Sequence, residues 1–420
     1  MNDLQVATRR ELLRTGLGIV GAGSALPDFL VRTALGASGD NTAEQRIVVA
    51  LLLTGGPDGL SLVPPLGHDA YSKHRPTLAV DRAKAIRLND EVSLHPRLTG
   101  FKKLLDQNAM AVVLGTAYPN FDLSHFVSRD FWEAGDNRNV SGRLGSAGWL
   151  GRYLDHACAD CPDPLLNVAV GPGRQPLIIT GKTHPGVGFE SPDSFRFRGL
   201  QTAKGEELYR KLNQVDAMQK RTDLQFVQQT AVHANSASER IRDLASKYRT
   251  NVSYPDTLFG NSVRMIAGLI NSGLQARAYY AAQGIAVFGG YDTHADQPRR
   301  LDTLLGELDQ TISAFYEDLC RCGNDKRVLT LTYSEFGRRV QENFSGGTDH
   351  GLAQPMFLFG PGVKAGVHGK QPSLTDLDER GNLKMQVDFR GVYAAILEKW
   401  LCAPSEAILG QKYPLVDCVA

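Results

Sequence analysis

The sequence has almost no net charge. Its 46 lysine and arginine residues stand against 45 aspartate and glutamate residues, which leaves a formal charge of +1 over 420 residues. No overall field therefore draws the chain to nucleic acid or to an anionic membrane, and we expect no nucleic-acid partner. The sequence also lacks an apolar run long enough to cross a bilayer, so we expect no stable membrane span.

Cysteine is scarce, with six residues in the chain. Cys158 and Cys161 have the spacing of a redox pair or of half a thiolate zinc site, but no second such pair follows. Cys320 and Cys322 lie too close in sequence for an easy disulfide. We expect buried thiols or one or two structural disulfides. A redox protein is a further alternative, and its thiol-dependent activity would disappear in Cys161→Ser.

Apolar residues and glycine are abundant by contrast. Apolar residues make up 42% of the chain, enough to fill the core of one large domain or two. The 43 glycines cluster beside acidic and histidine residues in short loops. Glycine is favoured where the backbone turns sharply or approaches a ligand closely, so these loops are the first candidates for a functional site.

The amino-terminal segment has the pattern of an export signal. Arg9 and Arg10 are followed by Leu12, then by a short glycine-rich apolar stretch and a small-residue cleavage site. This pattern is similar to a twin-arginine signal, which would take the folded chain through the twin-arginine translocase to the periplasm or outside the cell. We predict a signal peptide at 1–37 and a single domain at 45–420. An amphipathic amino-terminal helix is the alternative interpretation.

Five apolar runs predict strands that are buried on both faces of a sheet. They lie at 47–53, 111–115, 284–288, 328–332 and 355–359. Leucine, isoleucine and phenylalanine recur at helical spacing between the third and fourth runs, which predicts a crossover helix. The alternation favours an α/β fold with a mainly parallel central sheet and helices on both faces. Residues 200–280 are helical in pattern and predict a helical layer or insertion.

Acidic residues and histidines occupy glycine-flanked loops next to these strands. Ligands of such sheets bind outside the carboxyl ends of the strands, where the loops fall. Carboxylates and imidazoles from separate strands suit a divalent cation, and metal-assisted hydrolysis is the natural reaction class. The candidate ligands are Asp58, Asp292, His294, Asp296, Glu335, Asp349 and His350.

Three further residues are candidates for the chemistry itself. Ser124 precedes a helical stretch, and a nearby metal would make its hydroxyl a nucleophile. The alternative is that Ser124 is only the N-cap of that helix. His125 and Arg338 would steady the transferred group, and their alternatives are a packed histidine and a solvated arginine. Asp58, after Gly-Gly-Pro, has the alternative of a simple turn carboxylate.

The ordered motifs resemble a known family. They are Gly-Gly-Pro-Asp58-Gly-Leu, Leu-Ser124-His125-Phe126, Gly148-Trp149-Leu150-Gly151-Arg152, Gly-Gly-Tyr-Asp292-Thr-His294-Ala-Asp296-Gln, Ser334-Glu335-Phe336-Gly337-Arg338 and Gly-Thr-Asp349-His350-Gly. By these motifs the chain is identified, from about residue 45 to residue 402, as a member of an uncharacterised bacterial family, number 1501 among the domains of unknown function. That family is typically preceded by a twin-arginine signal and is grouped with the alkaline phosphatase and sulfatase-like superfamily.

The resemblance implies an alkaline-phosphatase-like fold and an exported, metal-dependent hydrolase of a small anionic phosphate or sulfate ester. Carried over residue by residue, Asp58 matches the acid after the first strand and Ser124 matches the nucleophile. Asp292 matches the next acid, and His350 matches the last imidazole.

The chain departs from the superfamily pattern at two places. Asp296 stands where the superfamily has a histidine, and Ser334-Glu335 stands where it has an Asp-His pair. Fewer imidazoles argue against two Zn²⁺ ions and favour a single ion or an oxygen-rich site for Mg²⁺, Mn²⁺ or Ca²⁺. The departures also motivate a rival, an exported binding or assembly protein without catalysis that keeps the fold and a structural metal.

Overall fold

The computed structural model describes residues 46–136, 147–159, 163–173, 175–194, 222–285 and 289–420, with Lys204, Glu207 and Lys211 besides; of 222–233 it describes the backbone only. The predicted signal at 1–37 lies outside the described residues. Within the described part of the chain, no helix combines the length and the apolar character needed to cross a membrane.

A nine-stranded sheet forms the centre of the described structure. The strands of the described residues are β1 Ile47–Leu53, β2 Ile86–Arg87, β3 Ser93–Leu94, β4 Met110–Ala117, β5 Asn167–Val170, β6 Val187–Phe189, β7 Ala278–Gln283, β8 Val328–Tyr333, β9 Gly337–Arg338, β10 His350–Gly351, β11 Gln354–Phe359, β12 Gly366–His368 and β13 Val387–Asp388. The order across the central sheet is β12-β4-β11-β8-β1-β7-β5-β6, with β13 beside β4. β2 pairs with β3, and β9 pairs with β10, in two small separate sheets.

Helices pack against both faces of the sheet. They are α1 Gly59–Leu62, α2 Ala70–His74, α3 Thr99–Asp106, α4 His125–Ala134, α5 Trp149–Ala157, α6 Thr222–Lys247, α7 Leu258–Asn271, α8 Gln297–Arg321, α9 Phe389–Ala395 and α10 Ser405–Leu409. Short 3-10 turns lie at Leu177–Ile179 and Asp325–Arg327, and a π-turn at Ile396–Trp400 extends α9.

The central strand β1 shows why the sheet needs two helical layers. All seven of its side chains are buried, and successive ones point to opposite faces. Val49 and Leu51 belong to the core formed with α3, α7 and α8, whereas Val48 and Leu52 belong to the core formed with α4, α5 and α9. The predicted α/β fold, with a mainly parallel sheet and helices on both faces, is confirmed.

One strand of the sheet runs against its neighbours. β11 is antiparallel to both β4 and β8, whereas β1 is parallel to β7 and β8. The chain therefore enters β11 at the edge where β1, β4 and β8 end. The loop before β11 consequently reaches the same edge as the loops that follow the parallel strands.

Of the third predicted strand, at 284–288, the structure describes residues 284 and 285, and neither belongs to a strand. The strand found before them is β7, which ends at Gln283. The helical pattern that we expected at 200–280 overlaps the start of β7, whose alanines favour helices in isolation. The helix α7 ends at Asn271 instead, and Tyr279 and Tyr280 then alternate between the two cores as strand residues do. Residues 286–288 lie outside the described part.

Four cysteines of the described residues are free thiols. They are Cys320, Cys322, Cys402 and Cys418, of which Cys418 is buried. The expected structural disulfides are therefore not found in the described part of the chain. Residue 161 lies outside the described residues, so the predicted pair of Cys158 and Cys161 stays a prediction.

Candidate metal centre

Polar loops from five strands meet at one edge of the sheet. They follow β1, β4, β7 and β8, and one precedes β11. The loops after β1 and β7 touch backbone to backbone at Gly55, which has φ +109°, and a Cβ there would lie 2.4 Å from the amide nitrogen of Asp292. Only glycine permits this approach, which brings Asp292 to the end of the central strand.

Three donor groups at this edge lie close enough to share one cation. A ligand nitrogen of His125, one of His350 and a carboxylate oxygen of Asp292 lie within 4.8 Å of one another. Nε2 of His350 is 3.1 Å from Oδ1 of Asp292, and Nε2 of His125 is 3.6 Å from Oδ2 of Asp292. All three are partly buried, so a bound ion would keep limited contact with water.

The opposite nitrogen of each imidazole is fixed by an oxygen acceptor. Nδ1 of His125 is 2.8 Å from Oε1 of Glu335, and Nδ1 of His350 is 3.2 Å from the carbonyl oxygen of Leu123. Because both partners are acceptors, each Nδ1 must donate, and the neutral ring then has its lone pair on Nε2. Once its Nε2 carries no proton, each ring directs its lone pair toward Asp292, the arrangement that histidine ligands of metals commonly have.

His294 and Asp349 adjoin these three donors. Nδ1 of His294 is 3.1 Å from Oδ1 of Asp349, and its Nε2 is 3.1 Å from Oδ1 of Asp292. Asn343 also donates to Asp349, at 3.3 Å. The side chains of His294 and Asp349 are about half exposed, so this imidazole approaches the same carboxylate from the solvent side.

Arg338 connects several loops of the site through hydrogen bonds. Its buried guanidinium donates to Asp292 Oδ1 at 2.5 Å, to the carbonyl oxygens of Gly55, Gly56 and Tyr291, to Nε2 of His294 and to the carbonyl oxygen of Thr348. Each nitrogen of the guanidinium thus has a partner within the protein. We predicted that Arg338 would contact a substrate anion. In this arrangement every nitrogen of its guanidinium is already hydrogen-bonded within the protein.

The surroundings of Asp292 stabilise the ionised form of its carboxyl group. Partial burial by itself would raise its pKa, but contacts with His125, His350 and Arg338 hold the pKa far below the usual range of an aspartate. The hydrogen bond to Asp292, and then that to Glu335, raises the pKa of His125 to about 9. A cation and a proton therefore compete for the same imidazole nitrogen.

Asp58 is not one of the three converging donors. It is the N-cap of α1, and its carboxylate forms a two-point ion pair with Arg75, in which both side chains are fully buried. The hydroxyl of Ser61 donates to Oδ2 at 2.8 Å, the amide of Gln297 donates to Oδ2 at 2.5 Å, and Leu60 N donates to Oδ1 at 3.2 Å. Both oxygens are occupied, and the position first predicted as a metal ligand is part of an internal ion pair.

We predict that Asp58→Asn destabilises the fold by about 3–5 kcal/mol, because it leaves the guanidinium of Arg75 buried and unpaired. Burial alone would raise the pKa of Asp58, but the charge and hydrogen bonds of Arg75 hold it below its ordinary value. This contribution is therefore fully present above the pKa of an unfolded aspartate and is lost as pH falls through the lower, folded value. Urea unfolding of both proteins at neutral and acidic pH measures it, and equal free energies of unfolding at neutral pH would contradict it.

Asp296 is not among the three converging donors. It occupies the N-cap position of α8 with a φ of +50°, and its carboxylate pairs with Arg299 on the surface, at 2.6 Å from Nε. The residue that turns inward is Gln297, whose side-chain oxygen accepts from Thr293 and Thr348.

Ser124 is the N-cap of α4, directly before His125. Its carbonyl oxygen accepts from the amide of Ser128 at 3.0 Å, and its own amide donates to Asp122 at 2.6 Å. The hydroxyl makes no capping hydrogen bond, although an N-cap serine normally makes one. Ser124 thus stands at the start of a ten-residue helix, one residue before His125, which belongs to the converging donors.

Sequence reasoning missed two residues that organise the site. Arg75 neutralises Asp58, and Gln297 links Asp58 to the loop before β11 through Thr348. Arg75 lies between short elements without a motif around it, so no local signal indicated it. Gln297 ends the motif that contains Asp292, and its position there was the available signal.

We predict that Glu335→Gln weakens metal binding by about 10–100-fold, because Glu335 fixes His125 through Nδ1. An amide can present its NH₂ group there, which would turn Nδ1 into the acceptor and take the lone pair from Nε2. Titration of the purified protein with Zn²⁺ in a calorimeter measures the change. Glu342→Gln, at a half-buried carboxylate that accepts hydrogen bonds from Thr77 and Leu78, is the matched control, and equal loss in both variants would contradict the prediction.

A mainly parallel sheet between two helical layers, with a histidine–aspartate cluster at its carboxyl edge, defines the class of this protein. The chain belongs to the family described as "Protein of unknown function (DUF1501)", which matches residues 45–400. The predicted family is thereby confirmed. No curated protein matches the sequence.

Solved structures of the alkaline phosphatase and sulfatase group are similar to this chain. The PsFucS1 sulfatase from Pseudoalteromonas sp. is 12% identical, with 92% of this chain and 72% of that chain covered and a TM-score of 0.38. The lipoteichoic acid synthase LtaP from Listeria monocytogenes is 8% identical, with 90% and 77% covered and a TM-score of 0.38. The alkaline phosphatase from the Antarctic bacterium TAB5 is 11% identical, with 76% and 92% covered and a TM-score of 0.32. At these scores the likeness carries no argument about activity.

Proposed function

We propose that the protein is a metal-dependent hydrolase of phosphate or sulfate esters, with Ser124 as nucleophile. His125, Asp292 and His350 would be the ligands of a divalent cation. The observation that carries the proposal is the convergence of these three donors within 4.8 Å, beside a helix that begins with an uncapped serine hydroxyl.

The donor set fits a divalent cation. Its two imidazoles have their lone pairs directed at one point by the oxygen acceptors on Nδ1, and its carboxylate is ionised. Nitrogen donors favour Zn²⁺ over Mg²⁺, Mn²⁺ and Ca²⁺, which prefer oxygen ligands. When bound, such a cation supplies a lower pKa to an adjacent hydroxyl and offsets charge on the transferred group.

The residues of the chain would carry the reaction in two steps. In the first, Oγ of Ser124 forms a bond to phosphorus or sulfur, the ester bond breaks, and the leaving oxygen takes up the hydroxyl proton. In the second, water cleaves the serine ester and restores the hydroxyl, so that one water is consumed overall. The first N–H groups of α4 have no partner within the helix and are suited to hold oxygens of the transferred group.

The test is a set of chromogenic esters combined with metal analysis. We expect p-nitrophenyl phosphate, its diester or p-nitrophenyl sulfate to be hydrolysed, and the activity to be lost on chelation and restored by Zn²⁺. Bound metal with no turnover of any ester would instead favour the rival, a binding or assembly protein that keeps a structural metal. The binding or assembly protein is the alternative because Ser334 and Glu335 depart from the superfamily pattern.

We propose further that this activity belongs outside the cytoplasm. The support is the sequence alone, in which Arg9 and Arg10 precede a short apolar stretch. Replacement of both arginines by lysine is expected to keep the chain, uncleaved, in the cytoplasmic fraction. Unchanged appearance of the variant in the periplasm or medium would contradict a twin-arginine route.

A further inference from the structure

Three of the five loops that meet at the candidate metal centre carry an exposed apolar side chain. Phe126 directly follows the donor His125 in the first turn of α4 and is 83% exposed. Phe344 lies before β10, in the segment that leads into β11, and is fully exposed. Ile285 stands two residues after the end of β7 and is 42% exposed. We call these three residues the apolar rim of the site.

The turn that carries Phe344 is fixed to the loops of the site. The side-chain amide of Asn343 donates to the carbonyl oxygen of His294 at 3.0 Å and to Oδ1 of Asp349 at 3.3 Å. Its side-chain oxygen accepts from the amide of Gly347 at 3.1 Å, and its own amide donates to the carbonyl oxygen of Gly347 at 2.8 Å. The fold therefore holds the ring of Phe344 in water at the border of the site.

Such exposure is unfavourable for phenylalanine in water. Transfer of one such side chain into an apolar partner strengthens binding by about 10–100-fold. Single exposed apolar residues are common on protein surfaces, but here three of them border one site. The apolar rim is therefore suited to an apolar partner that comes close to the metal centre.

The size and the shape of the apolar rim favour a lipid layer as this partner. Its three side chains together offer roughly 500 Å² of surface, whereas each partner in a standard protein interface buries about 800 Å². Both phenylalanines project from the surface, and small soluble ligands bind instead in concave sites. A fluid layer of acyl chains can surround separate projecting side chains.

We propose that the apolar rim enters the surface of a lipid layer, where the metal centre acts on the phosphate or sulfate ester of a lipid headgroup. The proposal rests on the proposed function and names its substrate class. Water cleaves the headgroup ester and gives the lipid alcohol with inorganic phosphate or sulfate. Because the formal net charge of the chain is only +1, insertion of the rim should suffice to bind vesicles of uncharged phosphatidylcholine.

The first test is sedimentation of the whole protein with phosphatidylcholine vesicles, which needs no turnover. We expect the partition coefficient to fall about 10-fold or more in Phe126→Ser and in Phe344→Ser. Leu415→Ser is the control, since Leu415 is 40% exposed but lies after α10, outside the loops that carry the donors. We expect it to sediment as the wild type does.

Titration with Zn²⁺ shows whether the variants keep the donor site. If Phe126→Ser loses the ion, the result for Phe344→Ser decides. A wild-type protein that does not sediment with vesicles, or one whose sedimentation neither replacement reduces, overturns the proposal.

The second test compares lipid esters in vesicles with water-soluble esters that have the same headgroup. Phosphatidic acid and a sulfated lipid are the two lipid esters, and the one that is hydrolysed identifies the ester as phosphate or sulfate. We expect kcat/KM to be about 10-fold or more higher for that lipid than for its soluble counterpart. This preference should disappear in the double variant Phe126→Ser/Phe344→Ser.

The remaining outcomes separate this proposal from the proposed function. Hydrolysis of soluble esters without preference for the lipid overturns the lipid proposal and leaves the hydrolase in place. A dimer in solution that the same replacements dissociate would make the rim an interface between copies of the chain, which also overturns it. Vesicle binding without hydrolysis of any ester overturns the proposed function and the substrate class, and supports the lipid-facing surface alone.

Discussion

Replacement of Asp292 by asparagine is expected to abolish metal binding and ester hydrolysis together. Asp292 is the only carboxylate among the three converging donors, and it also neutralises the buried guanidinium of Arg338. Loss of a residue that merely orients a ligand already weakens metal binding about 10–100-fold, so loss of the charged ligand itself should exceed 100-fold. Calorimetric titration with Zn²⁺ and the hydrolysis rate of the best ester measure the two effects.

Asp302→Asn is the matched control for this variant. Asp302 also pairs with an arginine, Arg97, but on the surface and away from the converging donors. We expect it to bind metal and to hydrolyse the ester as the wild type does. Tight Zn²⁺ binding by a correctly folded Asp292→Asn protein would refute the assignment of this carboxylate as a ligand.

The second large effect is expected from Ser124→Ala. The variant leaves His125, Asp292 and His350 unchanged, so we expect it to retain the metal. Hydrolysis should fall by about 10³-fold or more, since removal of a nucleophile leaves only the contributions of binding and charge stabilisation. Parallel measurement of ion content and kcat separates the role of a nucleophile from a general disturbance of the site.

Ser345→Ala controls for the loss of an exposed hydroxyl on the loop that precedes Asp349. It is expected to leave both ion content and kcat unchanged. A Ser124→Ala protein that hydrolyses esters at the wild-type rate would reduce Ser124 to a helix cap, which was the alternative reading of the local sequence.

Much of the architecture was predictable because buried parallel strands leave a strong local pattern. The run at 47–53 is the strand β1 residue for residue, since every side chain of that strand is buried and must be apolar. The position of β7 was not predictable in the same way. Its sequence, Ala-Tyr-Tyr-Ala-Ala-Gln, has no β-branched residue, and only packing between β1 and β5 makes it a strand.

The polar residues of the site were predictable by type but not by partner. Asp292 and His350 stood out because acid and imidazole pairs in glycine-flanked loops are poor choices for mere turns. His125 was predicted to steady the transferred group and not to bind the metal. Both Asp58 and Asp292 were predicted to bind the metal. The fold shows that Arg75, 17 residues after Asp58, donates hydrogen bonds to both oxygens of Asp58. Pairing of this kind depends on where two distant side chains end, which no local pattern records.

The short ladder between β9 and β10 has a consequence for how the centre responds to ligands. It pairs His350 with Arg338 in register, and the next rung pairs Gly351 with Gly337. The imidazole of His350, one of the three converging donors, and the guanidinium that binds four loop carbonyl oxygens are therefore neighbours on paired strands. We expect the two side chains to move together, so that the site is formed before a ligand binds. Changes in affinity among variants at its border should then appear in dissociation rates more than in association rates.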